Sequence, residues 1–292
     1  MSNSMVTAAN VKKLRELTGV GMQKCQEALV ITHGDIAAAV IHLRKMGAAT
    51  AINKSGRSTK NGMLQYGENE QAIVMLEINS ETDFVAKNDL FQEFADECAK
   101  VALHQHTDTI AKLETAHLLS DPKKTVEDKR SELVLSLGEN IQLRRVHLYR
   151  KNLGHSYGHY SHMGGKILGF VDLKGANLSD LANEIAIHVV AEAPVYLSKE
   201  LIPKTVLNQE QEILRTQVPS GKPANVVENI IQGKLKAFYE INCLLSQKYV
   251  KDNSNTVEEF LKRTDPNCKL EKFLRWQLGE ETVSYTHLRA HE

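Results

Sequence analysis

The feature that most constrains this chain is a plan that occurs twice. Residues 62–66 and 71–79 alternate apolar and polar side chains around Gly67-Glu68-Asn69-Glu70, which predicts a β-hairpin. A helix follows over 90–103, where Phe91, Phe94, Ala95, Cys98, Val101 and Ala102 recur at three and four residues and so form one apolar face. A helix over 126–137 and a strand over 141–149 complete the block. Further along, a strand over 166–173, a turn over 174–177 and a helix over 178–192, with Leu181, Ile185, His188 and Val189 on one face, repeat the order. The copies differ in one place. The second joins strand to helix by a short turn, whereas in the first the segment 80–89 intervenes, and an extra loop on a rigid unit is where function tends to sit.

The flanking segments read as helical. Val11, Leu14 and Leu17, then Met22, Cys25 and Leu29, then Ile36, Val40 and Leu43 keep helical spacing in three short runs within residues 7–47. Gly19 and Gly21 punctuate the first junction, Gly34-Asp35 the second with Asp35 as N-cap, and Gly47 follows the last turn. Three helices in about forty residues make a very small core, of the size that serves as a docking module. Residues 48–61 turn polar and basic through Lys54, Arg57 and Lys60 and read as a linker. After Pro194 and Pro203, helical stretches over 206–216 and 226–242 flank Pro219-Ser220-Gly221-Lys222-Pro223, which neither helix can pass through, so they predict an antiparallel helical hairpin. A helix over 257–263 and a strand over 270–278 follow, and residues 281–292 show no apolar period.

Composition excludes several classes. At 292 residues two or three modules are expected, and Lys+Arg and Asp+Glu balance at 36 each, so no nucleic-acid footprint is visible. Lys12, Lys13, Arg15 and Glu16 interrupt any apolar stretch near the start, leaving no signal-peptide core or membrane span among the first thirty residues and an expectation of a cytoplasmic protein. Cys25, Cys98, Cys243 and Cys268 lie far apart without a C-x-x-C pair, and they read as reduced thiols. Gly164-Gly165-Lys166 is followed by Ile167, and neither a P-loop nor a G-x-G-x-x-G occurs, so the chain has no phosphate cradle of its own. His155, His159 and His162 invite a metal reading, yet their spacing among Gly and Ser defines no coordination geometry.

Two motifs carry a family resemblance. The segment Glu77-Ile78-Asn79-Ser80-Glu81-Thr82-Asp83-Phe84-Val85-Ala86-Lys87 resembles the second signature of the elongation factor Ts family, and Leu14-Arg15-Glu16-Leu17-Thr18-Gly19-Val20-Gly21-Met22 resembles the first. Likeness continues through His162-Met163-Gly164-Gly165-Lys166-Ile167, Ile187-His188-Val189, Ser220-Gly221-Lys222-Pro223 and residues 273–280, covering nearly all of 7–280. The resemblance implies an α+β protein: a ubiquitin-associated-like (UBA-like) three-helix head with its linker over 1–56, two related subdomains with small antiparallel sheets over 57–154 and 155–280, and a coiled-coil hairpin near 204–243. Residues 281–292 have no counterpart in the pattern and read as an unstructured or non-native tail.

The resemblance also implies a task without covalent chemistry or a cofactor. The family binds elongation factor Tu, in GDP-bound and nucleotide-free forms, as a 1:1 complex or a dimer of heterodimers. It opens the partner's magnesium and nucleotide site so that GDP leaves and GTP enters. Neither nucleic acid nor membrane is an implied partner. Carried over by motif, Thr82, Asp83, Phe84 and Val85 would disturb the magnesium site, Arg15, Gly21 and Met22 would dock the head, and His162, in the loop before the second sheet, would meet the partner's nucleotide-binding domain. Gln23 and Lys24 depart from the Met and Asp the family often carries after Met22, so the head contact is expected to be altered.

Each assignment has a plainer alternative. Asp83 could cap the following helix with Phe84 folded on its own core, Arg15 and Met22 could be a solvated charge and a core methionine, and His162 could be a core or turn histidine. At the level of function, the alternative is an interaction protein whose UBA-like head binds another partner.

Overall fold

The computed structural model describes residues 6–218 and 223–280. Contacts divide the described chain into two units, the first holding residues 6–151, 164–166 and 277–280, the second residues 152–163 and 167–276.

The first unit begins with helices α1 (Ala8–Thr18), α2 (Met22–Ile31) and α3 (Ile36–Lys54). Thr7 caps α1 by accepting from the Asn10 amide, Gly19 ends it in the left-handed region at φ 69°, and the Asp35 carboxylate caps α3 by accepting from the Ala38 amide. Val11, Leu14, Val20, Cys25, Leu29 and Leu43 form the small core. Leu17 and Met22 keep helical spacing but face solvent, because helices this short enclose only one side of each other. Gly47 does not end α3. A Cβ at that position would lie 3.0 Å from the Ser131 carbonyl oxygen, so the glycine lets α3 approach helix α7 (Val126–Leu137) backbone to backbone. The alanines of residues 48–51 favour helix, and Ala51 is buried in the core of the neighbouring sheet. The linker therefore starts after Lys54, not at 48. Two polar contacts fasten the head to α7: Arg44 reaches Asp128 at 3.2 Å, and the Lys24 ammonium donates to the Leu135 carbonyl at 2.9 Å.

Strands β1 (Asn61–Glu68), β2 (Ala72–Ser80) and β3 (Ile141–Arg150) form an antiparallel sheet in the order β1-β2-β3. Asn69 builds the hairpin turn by accepting from the Gln71 and Ala72 amides. Between β2 and β3 run α4 (Asp83–Ala86), α5 (Asp89–Gln105), α6 (Ile110–Thr115) and α7. Val74, Leu76 and Ile78 meet Phe91, Phe94 and Cys98 of α5 in the main core. Burial pushes the Cys98 thiol well above its ordinary value, so it behaves as a small hydrophobe. Glu77 of β2 is fully buried and is matched by Arg144 at 2.9 Å, Arg145 at 2.6 Å and the Gly279 amide at 2.9 Å.

The second unit repeats the topology. Strands β4 (His155–His162) and β5 (Ile167–Lys174) form a hairpin, α8 (Ser179–Glu192) follows, and the chain continues through α9 (Lys204–Thr216), α10 (Ala224–Asn242), the short pair β6 (Lys248–Tyr249) and β7 (Asp252–Thr256), α11 (Val257–Thr264) and β8 (Lys269–Gln277). The sheet order is β4-β5-β8, matching β1-β2-β3, with α8 placed as α5 is. Strand β4 is absent from the periodicity reading because its sequence, His-Ser-Tyr-Gly-His-Tyr-Ser-His, is polar on an edge. Its key residue is Gly158, where a Cβ would fall 2.2 Å from the backbone of Ala182 and Asn183 in α8. Helices α9 and α10 pack through Leu214, Ile231 and Leu235. Residues 219–222 of the expected turn, and the tail 281–292, lie outside the described residues. Among the described residues no helix is long and apolar enough to cross a membrane.

Candidate functional site

The segment that sets the first repeat apart is a one-turn helix rather than an open loop. Thr82 is its N-cap, with extended backbone and a hydroxyl that accepts from the Val85 amide; Lys87 ends it, and Asn88 caps α5 by accepting from Leu90. The capping alternative for Asp83 therefore does not hold. A helix of four residues gives each side chain its own direction. Val85 turns inward and is buried in the main core, so it anchors the turn, while Phe84 turns outward and stays 82% exposed. Asp83 pairs with Lys87 at 2.9 Å, and that hydrogen bond and charge draw its carboxyl below the ordinary carboxylate range.

A second segment, Gly138-Glu139-Asn140 between α7 and β3, holds this turn. Glu139 takes the Thr82 amide at 2.9 Å on one oxygen and the Thr82 hydroxyl at 2.6 Å on the other. Glu81 returns the contact by accepting from the Asn140 amide at 2.7 Å; that bond, with the nearby Arg57, lowers its pKa. Ser80 donates to the Thr82 carbonyl at 2.8 Å, and Asn61 donates to the Glu81 carbonyl at 2.9 Å. None of the Gly138-Glu139-Asn140 contacts was anticipated from the sequence; the one available signal was a glycine closing α7 followed directly by an acid and an amide.

In the head, Arg15 and Met22 come together with Lys12, Glu16 and Gly19 around a shallow open depression between α1 and α2. Met22 is partly exposed, which removes the core-methionine alternative. Gly21 is the exposed N-cap residue of α2, and a Cβ there would meet nothing within 4 Å, so packing inside the chain does not demand glycine. Of the two departures after Met22, Lys24 is engaged internally with Leu135, and Gln23 lies exposed beside Glu27 at 3.1 Å.

His162 ends strand β4 instead of lying in a loop before the sheet. It is exposed, with Nδ1 3.3 Å from the Tyr160 hydroxyl, so it is not a core histidine. Strand alternation puts His155 and His159 on the opposite face from His162, and His155 Nδ1 lies 2.7 Å from the Asp172 carboxylate. Among the described residues no group of three His, Cys, Asp or Glu side chains could hold a metal ion.

Comparison with known proteins bears on the whole of this arrangement. The family profile described as elongation factor TS matches residues 81–280. Elongation factor Ts of Protochlamydia amoebophila (strain UWE25) is 41% identical over 280 residues, 94% of this chain and 99% of that protein. The chain belongs to the elongation factor Ts family. Elongation factor Ts of Chlamydia trachomatis serovar L2 is 38% identical over 92% of this chain and 97% of its own, and that of Chlamydia felis is 36% identical over 96% and 100%. Membership of the elongation factor Ts family makes this a protein of translation elongation, and the profile match starts within the second signature segment and extends through α9, α10 and β8.

Proposed function

We propose that this protein is the guanine-nucleotide exchange factor for elongation factor Tu, acting in the cytoplasm on the partner's GDP-bound form and releasing a nucleotide-free complex that GTP then resolves. The observation that carries the reading is the Phe84 ring, exposed on a turn that Thr82 caps and Val85 anchors in the core. An aromatic side chain held outward on a rigid base contributes little to its own fold but suits a pocket between partner elements. Magnesium requires near-ideal octahedral geometry, so a displacement of the partner elements around it weakens the grip on the nucleotide phosphates.

Within this reading Phe84 is the wedge and Asp83 the directed charge beside it. Thr82 and Val85 hold both in place, the first as cap and the second as core anchor. Arg15, Met22 and the backbone at Gly21 dock the head, Arg15 by charge and Met22 by adaptable apolar contact. His162, free of the core, is available to the partner's nucleotide-binding domain. Binding and release are then reciprocal: whatever factor this protein takes from the partner's nucleotide affinity, nucleotide takes from its own. The exchange factor changes rates and leaves the GDP/GTP equilibrium where it was.

The experiment is stopped-flow release of fluorescent GDP from elongation factor Tu at substoichiometric amounts of this protein. Acceleration through many turnovers is expected. A chain that binds elongation factor Tu without accelerating release would overturn the reading in favour of an interaction protein.

A further inference from the structure

We infer that Glu139 is a positioning residue for the Phe84 turn, and that Gly138-Glu139-Asn140 ties that turn to the base of the head. The inference rests on the exchange reading above. Four observations carry it, and all lie within the first unit.

Glu139 uses both carboxylate oxygens on a single residue, Thr82, the residue that caps the turn. A carboxylate that accepts from an amide and a hydroxyl of the same residue fixes position and direction at once, as one contact cannot. Glu81 closes a reciprocal pair through the Asn140 amide. Asn140, fully buried, donates its side-chain amide to the Ser55 carbonyl at 3.3 Å and the Arg57 carbonyl at 3.0 Å. The Lys54 ammonium, at the end of α3, donates to the Gly138 carbonyl. Three consecutive residues therefore hold the end of the head helix and the residues just after it on one side and the wedge turn on the other. A four-residue helix cannot hold its own conformation, since nucleation fixes several residues for one hydrogen bond. Val85 anchors one side of the turn in the core. Glu139 supplies the second point of attachment, which sets where the Phe84 ring stands relative to the docked head.

The consequence is a specific kinetic signature. Without Glu139 the head still docks, but the ring samples orientations that miss its pocket. The test compares Glu139→Ala, Glu139→Gln, Phe84→Ala and the Glu139→Ala/Phe84→Ala double variant in GDP release across a range of concentrations, with amide hydrogen exchange measured at Thr82 and Val85. Expected for Glu139→Ala is a maximal release rate on the order of tenfold lower with the half-saturating concentration within about twofold, and faster amide exchange at both positions. Glu139→Gln, which keeps one carbonyl acceptor of the same length, should recover part of the rate and also serves if the alanine variant folds poorly. In the Phe84→Ala background the Glu139 substitution should have little further effect, because it acts through a ring no longer there. Additive losses in the double variant, or a wild-type maximal rate in both Glu139 variants, overturn the inference. Phe84→Ala at the wild-type rate would instead overturn the wedge role of the ring, wild-type protein that fails to accelerate release would overturn the exchange reading, and unaltered amide exchange at Thr82 and Val85 in Glu139→Ala refutes the clamp itself.

Discussion

Truncating Phe84 to Ala should separate function from stability. The ring is 82% exposed, so about a fifth of a side chain that buries roughly 200 Å² when enclosed is at stake, or about 40 Å². At about 25 cal per Å² that is about 1 kcal/mol, and the better helix propensity of Ala returns about half of it. A net loss near 0.5 kcal/mol moves a melting midpoint by about 1–2 °C in a chain of this size. Phe94, 1% exposed in the main core, is the internal control: its truncation should cost about 3–5 kcal/mol. At the partner surface the order reverses. Loss of an aromatic anchor typically costs about 2 kcal/mol or more, about thirtyfold in an equilibrium. Asp83→Ala should act in the same direction more weakly and without change in stability, since its pair with Lys87 is exposed to solvent. Stopped-flow release of labelled GDP and thermal melts on the same preparations decide the matter. If Phe84→Ala melts as far below wild type as Phe94→Ala while its folded fraction exchanges at full rate, the ring belongs to the core and the wedge lies elsewhere.

Three further outcomes follow from buried groups. Glu77→Gln leaves Arg144 and Arg145 without their buried counter-charge and should cost about 3–5 kcal/mol in urea unfolding, and a loss below about 1 kcal/mol would show the cluster to be solvated. Gly158→Ala places a methyl group against the backbone of α8, so it should destabilise the second unit by about 1–3 kcal/mol, read as earlier hydrogen exchange across β4 and α8; wild-type protection would refute the close approach. Buried His188 accepts from the Val250 amide at Nδ1 and donates from Nε2 to the Gln247 side-chain oxygen, and burial lowers its pKa below the ordinary 6.5, the hydrogen bond to Gln247 and the charge of Glu192 opposing only in part. The unfolded chain therefore takes up this proton first: the stability contribution is complete above about pH 6.5 and is lost as pH falls through the depressed folded value. Urea midpoints between pH 8 and 5 should fall more steeply for wild type than for His188→Gln, and parallel curves would refute the assignment.

How much of this was legible in the sequence depends on the range over which each cause acts. Helical periods in the head and in α5, α7 and α8, the Asp35 cap, the hairpin turn at Asn69 and the repeated strand and helix order are set by residues within a few positions of one another, so the sequence by itself determined them. The exposed Phe84 was legible only through the signature segment around it, because the residue pattern by itself equally fits a ring folded on its own core. Strand β4 was not, since its pairing with β5 overrides a polar composition, and neither was the continuation of α3 past Gly47, which only the approach of α7 explains. The same holds for Lys24 on Leu135, for Glu77 between two arginines and for Glu139 on Thr82. Each pair joins positions far apart in the chain, and a carboxylate or ammonium in a sequence carries no mark of its partner. The tertiary structure alone decided those pairs, because a buried or half-buried charge is tolerated only where the fold delivers donors and acceptors to it at hydrogen-bonding distance.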